Sequence, residues 1–200
     1  MDDFISFFML LIVITIFYTY LESKAVEVTY VKSNIDGKEY LVRKMSDMQQ
    51  AADLLCTLNT NLKKLINSID GKCKTDSSYT PQTITDIKRL KGNYNENYIS
   101  ESSPGNTYTS YSINKGEKIV FCLRSKDEAK KLIDLNTLTF VAIHELAHLM
   151  TKSIGHEPEF WDNMKFLLRE GISIGIYKKQ DFNSNPVAYC GMTINDTPLK

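Results

Sequence analysis

The segment from Leu135 to Met150, LNTLTFVAIHELAHLM, constrains this chain more than any other, because its apolar residues cover much of a helical circumference. A helix of that kind has to be buried, so a long helix starting near Asp134 or Asn136 is expected inside the fold. Within it stand His144, Glu145 and His148. At roughly 100° per residue the two histidines lie about 40° apart on the helical wheel and about 6 Å apart along the axis, so their imidazoles reach one point.

A lone histidine on an apolar helix is usually a satisfied core residue. Here the chain has three histidines in all, and every one falls within residues 144–156. The spacing His-Glu-x-x-His suits a metal ion, with zinc the expected one. Glu145 follows the first histidine directly, so its carboxylate can approach a metal-bound water without taking a coordination position. That placement makes it a general base: zinc acidifies its water, the carboxylate accepts the proton as the water attacks a carbonyl carbon, and the same group returns it to the leaving amine.

The third ligand expected is His156. The chain between, Leu149 to Gly155, ends in a glycine, which accepts the left-handed backbone that a reversal after a helix requires. Pro158 then suits the first turn of a new helix, with Glu157 and Glu159 at its positive end. Phe160, Trp161, Met164, Leu167 and Leu168 give that helix an apolar face to clamp against the histidine-bearing one.

The remainder reads as α+β. Short β-favouring runs at 28–31 and 39–42 flank Asp36-Gly37 and predict a hairpin serving as a stalk. Ser46 and Gln49 form a capping-box pattern ahead of a helix over 47–69, whose stripe Ala51, Leu55, Leu58, Leu62, Leu65 and Ile69 should pack on its own domain, with Gly71 ending it. Pro81 opens a short helix ending near Lys91 and Gly92. Residues 93–106 are expected to be a surface loop. Residues 107–113 and 117–123 should form a second hairpin across Asn114-Lys115-Gly116, a candidate edge strand for holding an extended substrate.

At the front, Phe4 to Leu21 runs eighteen residues without a charge, about 27 Å of helix, which predicts a transmembrane anchor over residues 1–24 followed by a domain over 25–200 with its motif-bearing core at about 107–200. A cleaved signal peptide is the rival, with Ser23-Lys24-Ala25 as the processing site, but the leading Met-Asp-Asp is not basic. Lysines and arginines after the segment place the domain on the cytosolic side of a single-pass protein. The 24 acidic and 24 basic residues cancel, so nothing global draws the chain to nucleic acid. Cys56, Cys73, Cys122 and Cys190 show no chelating spacing and read most simply as buried or free thiols, although four cysteines leave three disulfide pairings open. Oligomeric state is not legible.

Residues Thr109 to Leu199 resemble the zincin-like WLM and SprT-like peptidases, most of all the WLM-like proteins of large DNA viruses. The words that carry the resemblance are TSYSINKGEKIVFCLR, FVAIHELAHLM, GHEPEFW and NPVAYCG. It implies a zinc peptidase fold with His144, His148 and His156 as ligands, Glu145 as the catalytic residue and a protein or peptide substrate. One departure is the seven residues between His148 and His156, where many such peptidases have five. The reaction therefore carries over and the substrate does not, since several cellular relatives cut proteins crosslinked to DNA. Tyr177 and Tyr189 are both candidates for stabilising an oxyanion. The alternative reading is a membrane structural or assembly protein with a purely structural zinc, which would require a fourth protein ligand.

Overall fold

The structure is a computed structural model that describes the backbone of residues 2–24, 27–106 and 108–199, and the side chains of residues 5–20, 27–106 and 108–199. The fold is α+β with a mixed sheet. Its elements in chain order are α1 (Asp2–Lys24), β1 (Val28–Lys32), β2 (Glu39–Arg43), α2 (Met48–Lys72), α3 (Pro81–Asn93), β3 (Ile99–Glu101), β4 (Ser110–Ile113), β5 (Lys118–Phe121), α4 (Leu135–Met150), α5 (Pro158–Ser173), β6 (Val187–Tyr189) and β7 (Met192–Ile194). Five strands form one sheet in the order β1-β2-β3-β5-β4, and β6 and β7 form a separate ribbon.

Helix α4 forms where its sequence predicts. The Asp134 carboxylate accepts from the Thr137 amide at its N-terminus, and Leu138, Ala142, Ile143, Leu146, Ala147, Leu149 and Met150 are all fully buried. It packs against α2, α3 and α5 and against strand β4. The stripe on α2 is buried in full, from Ala51 through Leu55, Leu58, Leu62 and Leu65 to Ile69, and the helix lies on β1, β2 and β3. Burying each such side chain contributes roughly 1.5–3 kcal/mol, which is why this stripe fixes the helix on its own domain.

Several expectations are corrected. Among the described residues no helix is long and apolar enough to cross a membrane, so the transmembrane anchor over residues 1–24 and the single-pass, cytosol-facing placement fall together. Its eighteen-residue apolar run rises only about 27 Å against a hydrocarbon core of roughly 30 Å, and the segment is simply helix α1, whose described side chains, Ile5 to Tyr20, are exposed. The side chains of Ser23-Lys24-Ala25 lie outside the described residues, as does Thr107 at the start of the second hairpin. The first hairpin is no stalk: β1 and β2 pair from Val28↔Arg43 to Lys32↔Glu39 and build one side of the main sheet. Gln49 does not close a capping box but donates to the Lys32 carbonyl and to Asp53, and α2 continues through Gly71 to Lys72.

The segment expected as a surface loop contributes the central strand β3, parallel to both β2 and β5. Its Ser100 and Glu101 are buried, together with Arg124. The Glu101 carboxylate accepts from the Arg43 amide at 2.7 Å and from Arg124 Nε at 2.8 Å, while Arg124 Nη1 reaches Asp47 at 2.5 Å. Burial pushes the Glu101 carboxyl up, and these donors oppose it. The Glu101 and Arg124 charges are buried as a pair, which offsets much of the cost of taking each out of water.

Two of the four cysteines are not thiols. Cys122, just after β5, is joined to Cys190 at the β6–β7 turn across a sequence separation of 68, while Cys56 and Cys73 are free. Closing a loop of that length restricts the unfolded chain, and replacing both partners by serine is expected to lower stability by about 2 to 4 kcal/mol in a urea titration. An unchanged midpoint would show that the bridge does not hold the ribbon to the sheet.

Candidate metal centre

Three side chains converge on one point. Helix α4 presents His144 and His148 one turn apart, and the connection after it presents His156 just before α5 begins at Pro158. The Nε2 atoms of His148 and His156 each lie 3.2 Å from Nε2 of His144, and one ligand atom from each residue falls within 4.8 Å of the others. Two nitrogens bound to one zinc at 2.0–2.1 Å and tetrahedral angles stand about 3.3 Å apart, so this donor set fits such an ion.

The reversal that delivers His156 is built as its sequence suggests. Gly155 has φ 88°, in the left-handed region, and α5 starts immediately afterwards. Fully buried Phe160 lies under all three imidazoles, with ring centroids 4.9, 4.4 and 4.6 Å from those of His144, His148 and His156. Trp161 stacks on His156 at 5.6 Å. The apolar start of α5 thus holds the rings together as well as packing on α4.

Burial also sets the protonation of the site. It drives His144 down to about 3, helped by the neighbouring His148 and His156, and drives His148 down to about 4, helped by His156 and Lys115. Neutral imidazole is the form that binds metal. Glu145 is buried, and desolvation lifts its carboxyl to about 7 against the opposing backbone hydrogen bond from Ser112. A divalent cation nearby would favour the carboxylate.

Two cavities meet here. One of about 480 Å³ is lined by Ser110, Tyr111 and Ser112 of β4 together with the three histidines and Glu145. Strand β4 is the outer strand on its side of the sheet, antiparallel to β5, so its free edge faces this space. The other, of about 340 Å³, lies between Phe140, Val141, His144 and Glu145 on α4 and Tyr189, Met192 and Ile194 on the terminal ribbon. Of the two tyrosines the sequence offered, Tyr189 lines that cavity, whereas Tyr177 packs against Phe140. The Tyr189 hydroxyl lies 2.7 Å from Ser110 Oγ and donates to the Cys122 carbonyl at 3.0 Å, and burial raises its pKa. Sequence reasoning gave no signal for the ribbon, or for Lys115, which it read only as part of a turn.

Comparison with known proteins gives the family. Residues 94–197 match the WLM domain. The chain is 31% identical over 189 residues to uncharacterized protein R325 of Acanthamoeba polyphaga mimivirus, covering 94% of this chain and 93% of that protein. It is 33% identical over 84 residues to uncharacterized protein 136R of Invertebrate iridescent virus 6, covering 42% of this chain and 47% of that one. Among solved structures, Wss1 from Saccharomyces cerevisiae aligns with a TM-score of 0.36 and 21% identity, over 47% of this chain and 73% of its own. The chain belongs to the WLM family, which includes metallopeptidases. These relatives from viruses match the resemblance that the histidine helix and its flanking words imply.

The depressed histidines set a pH expectation. In metal-free protein, ring resonances of His144 and His148 followed by NMR from pH 8 to 3 should show no protonation near 6.5 and midpoints below about 5. The unfolded chain takes up those protons first, so these two rings remove folded-state stability as pH falls from 6.5, towards about 4 for His148 and about 3 for His144. Midpoints at the ordinary histidine value would mean that water fills the site freely.

Proposed function

We propose that this protein is a zinc-dependent peptidase in which His144, His148 and His156 hold one ion and Glu145 serves as general base. One observation carries the reading: three imidazoles converge beside a buried carboxylate that is not itself part of the donor group, and all four line one open cavity. When bound, the ion supplies Lewis acidity to a carbonyl oxygen and lowers the pKa of water. Glu145 accepts the proton of the attacking water and returns it to the departing amine. Its backbone partner Ser112 ties that carboxylate to the edge strand.

The free edge of β4 supports a protein or peptide substrate, because an extended chain can add to it by main-chain hydrogen bonds with its scissile bond facing Glu145. The donor group comprises three residues among those described, which is the set expected where a coordination position stays open for reaction. A purely structural zinc would call for four.

Two variants test the reading. Glu145→Gln should retain zinc while its cleavage of a broad peptide library falls by at least about a hundredfold. His156→Ala should lower zinc occupancy, measured by metal analysis after dialysis, about tenfold or more. Parental cleavage by the first variant would remove Glu145 from the mechanism, and full zinc in the second would show that another residue completes the site.

A further inference from the structure

The connection from His148 to His156 is seven residues long, and its shape decides whether His156 meets the other two rings. Helix α4 ends at Met150, where carbonyl groups run out of helical partners. Side chains from elsewhere take five of them in succession. Asn93 donates to the Leu149 carbonyl at 3.1 Å and Arg89 to that of Met150 at 2.7 Å. Lys115 Nζ then donates to Thr151 at 2.8 Å, Lys152 at 2.7 Å and Ser153 at 3.2 Å.

We infer that Lys115 is a positioning residue for the metal centre: its ammonium grips residues 151–153 and so fixes the stretch that places His156 on His144 and His148. The inference rests on the proposed metal reading. An ammonium has three N–H donors, and here all three are directed at carbonyl oxygens, so Lys115 keeps none to bind substrate although it lines the cavity. From the opposite side the Glu159 carboxylate accepts from the amides of Lys152 and Ser153 at 3.3 and 3.4 Å, and from Ser153 Oγ at 2.9 Å. Ile154 is 87% exposed, and a Cβ at Gly155 would meet nothing within 4 Å. The grip on residues 151–153 is therefore the nearest firm support before His156.

The backbone at Lys115 points the same way. Asn114 and Lys115 have φ 45° and 54°, and the Gly116 amide donates to the Ile113 carbonyl at 3.0 Å, which describes a tight turn with two left-handed central residues. Glycine is the usual occupant of its second place, and a lysine there bears a strain that glycine would not. Gly116 follows with φ 117°, and a Cβ on it would come 2.1 Å from the Asn93 carbonyl oxygen, so the turn is pressed against the end of α3 close to Leu149. That closeness is what lets the Lys115 side chain reach the exit of α4.

The test uses the full chain and zinc itself. Lys115→Met keeps the aliphatic stem and removes the cation, and it should raise the zinc Kd about tenfold, the loss typical of residues that orient a ligand. It should also shift the visible absorption of the cobalt-substituted protein, and Lys115→Arg should recover part of both. In a His156→Ala background, Lys115→Met should leave the residual affinity unchanged, because the ring it positions is gone. The sole tryptophan, Trp161, stacks on His156 and reports the same placement by its emission. Should Lys115→Met not fold, Lys115→Gln carries the comparison, with a smaller loss expected. Parental affinity and an unshifted cobalt spectrum in the folded variant would overturn the inference, as would an equal loss with His156 absent. A parent that binds no zinc would overturn the metal reading and this inference together; a parent that binds it beside an unaffected variant overturns only the latter.

Discussion

The structure depends on the burial of helix α4. Its apolar residues are taken up by α2, α3 and α5 on the helical side and by β4 on the sheet side, which leaves one narrow strip for its ionisable groups. In that strip water is scarce, so imidazolium is disfavoured and a carboxyl holds its proton to a higher pH. One cause therefore acts in two directions. It leaves His144 and His148 with free lone pairs, and it lifts the Glu145 carboxyl to about 7.

Placement of the third histidine follows a different logic. His144 and His148 owe their relation to helical periodicity alone, while His156 arrives on an irregular stretch with little packing of its own. Polar contacts from distant parts of the chain replace that packing: a hairpin turn, the end of α3 and the first turn of α5 each bind the backbone there. Phe160 completes the arrangement from below, touching all three rings. A longer connection than five residues is workable because its peptide groups are held from both sides.

The helices and the histidine centre were legible in the sequence because periodicity, a proline at a first turn and a glycine at a reversal are local signals. Helix α4, the α2 stripe and the start of α5 all lie where those signals put them. What stayed hidden depends on long-range pairing. Strand β3 has only three residues and is buried through Glu101 and its arginine partners, so neither apolar alternation nor length marks it. The Cys122–Cys190 bridge needs two segments brought together by the fold, and Lys115 looks like any turn lysine until α4 lies beside it. The N-terminal run misled for the opposite reason: its freedom from charge is a local signal, and that signal outweighed a rise of only about 27 Å.

The disulfide encloses more than a ribbon. Its two sulfurs bracket the stretch from residue 123 to 189, which contains α4, α5 and all three histidines, so the histidine cluster lies inside a covalent ring. A single backbone scission anywhere within that ring yields two fragments that remain one molecule until a reductant parts them.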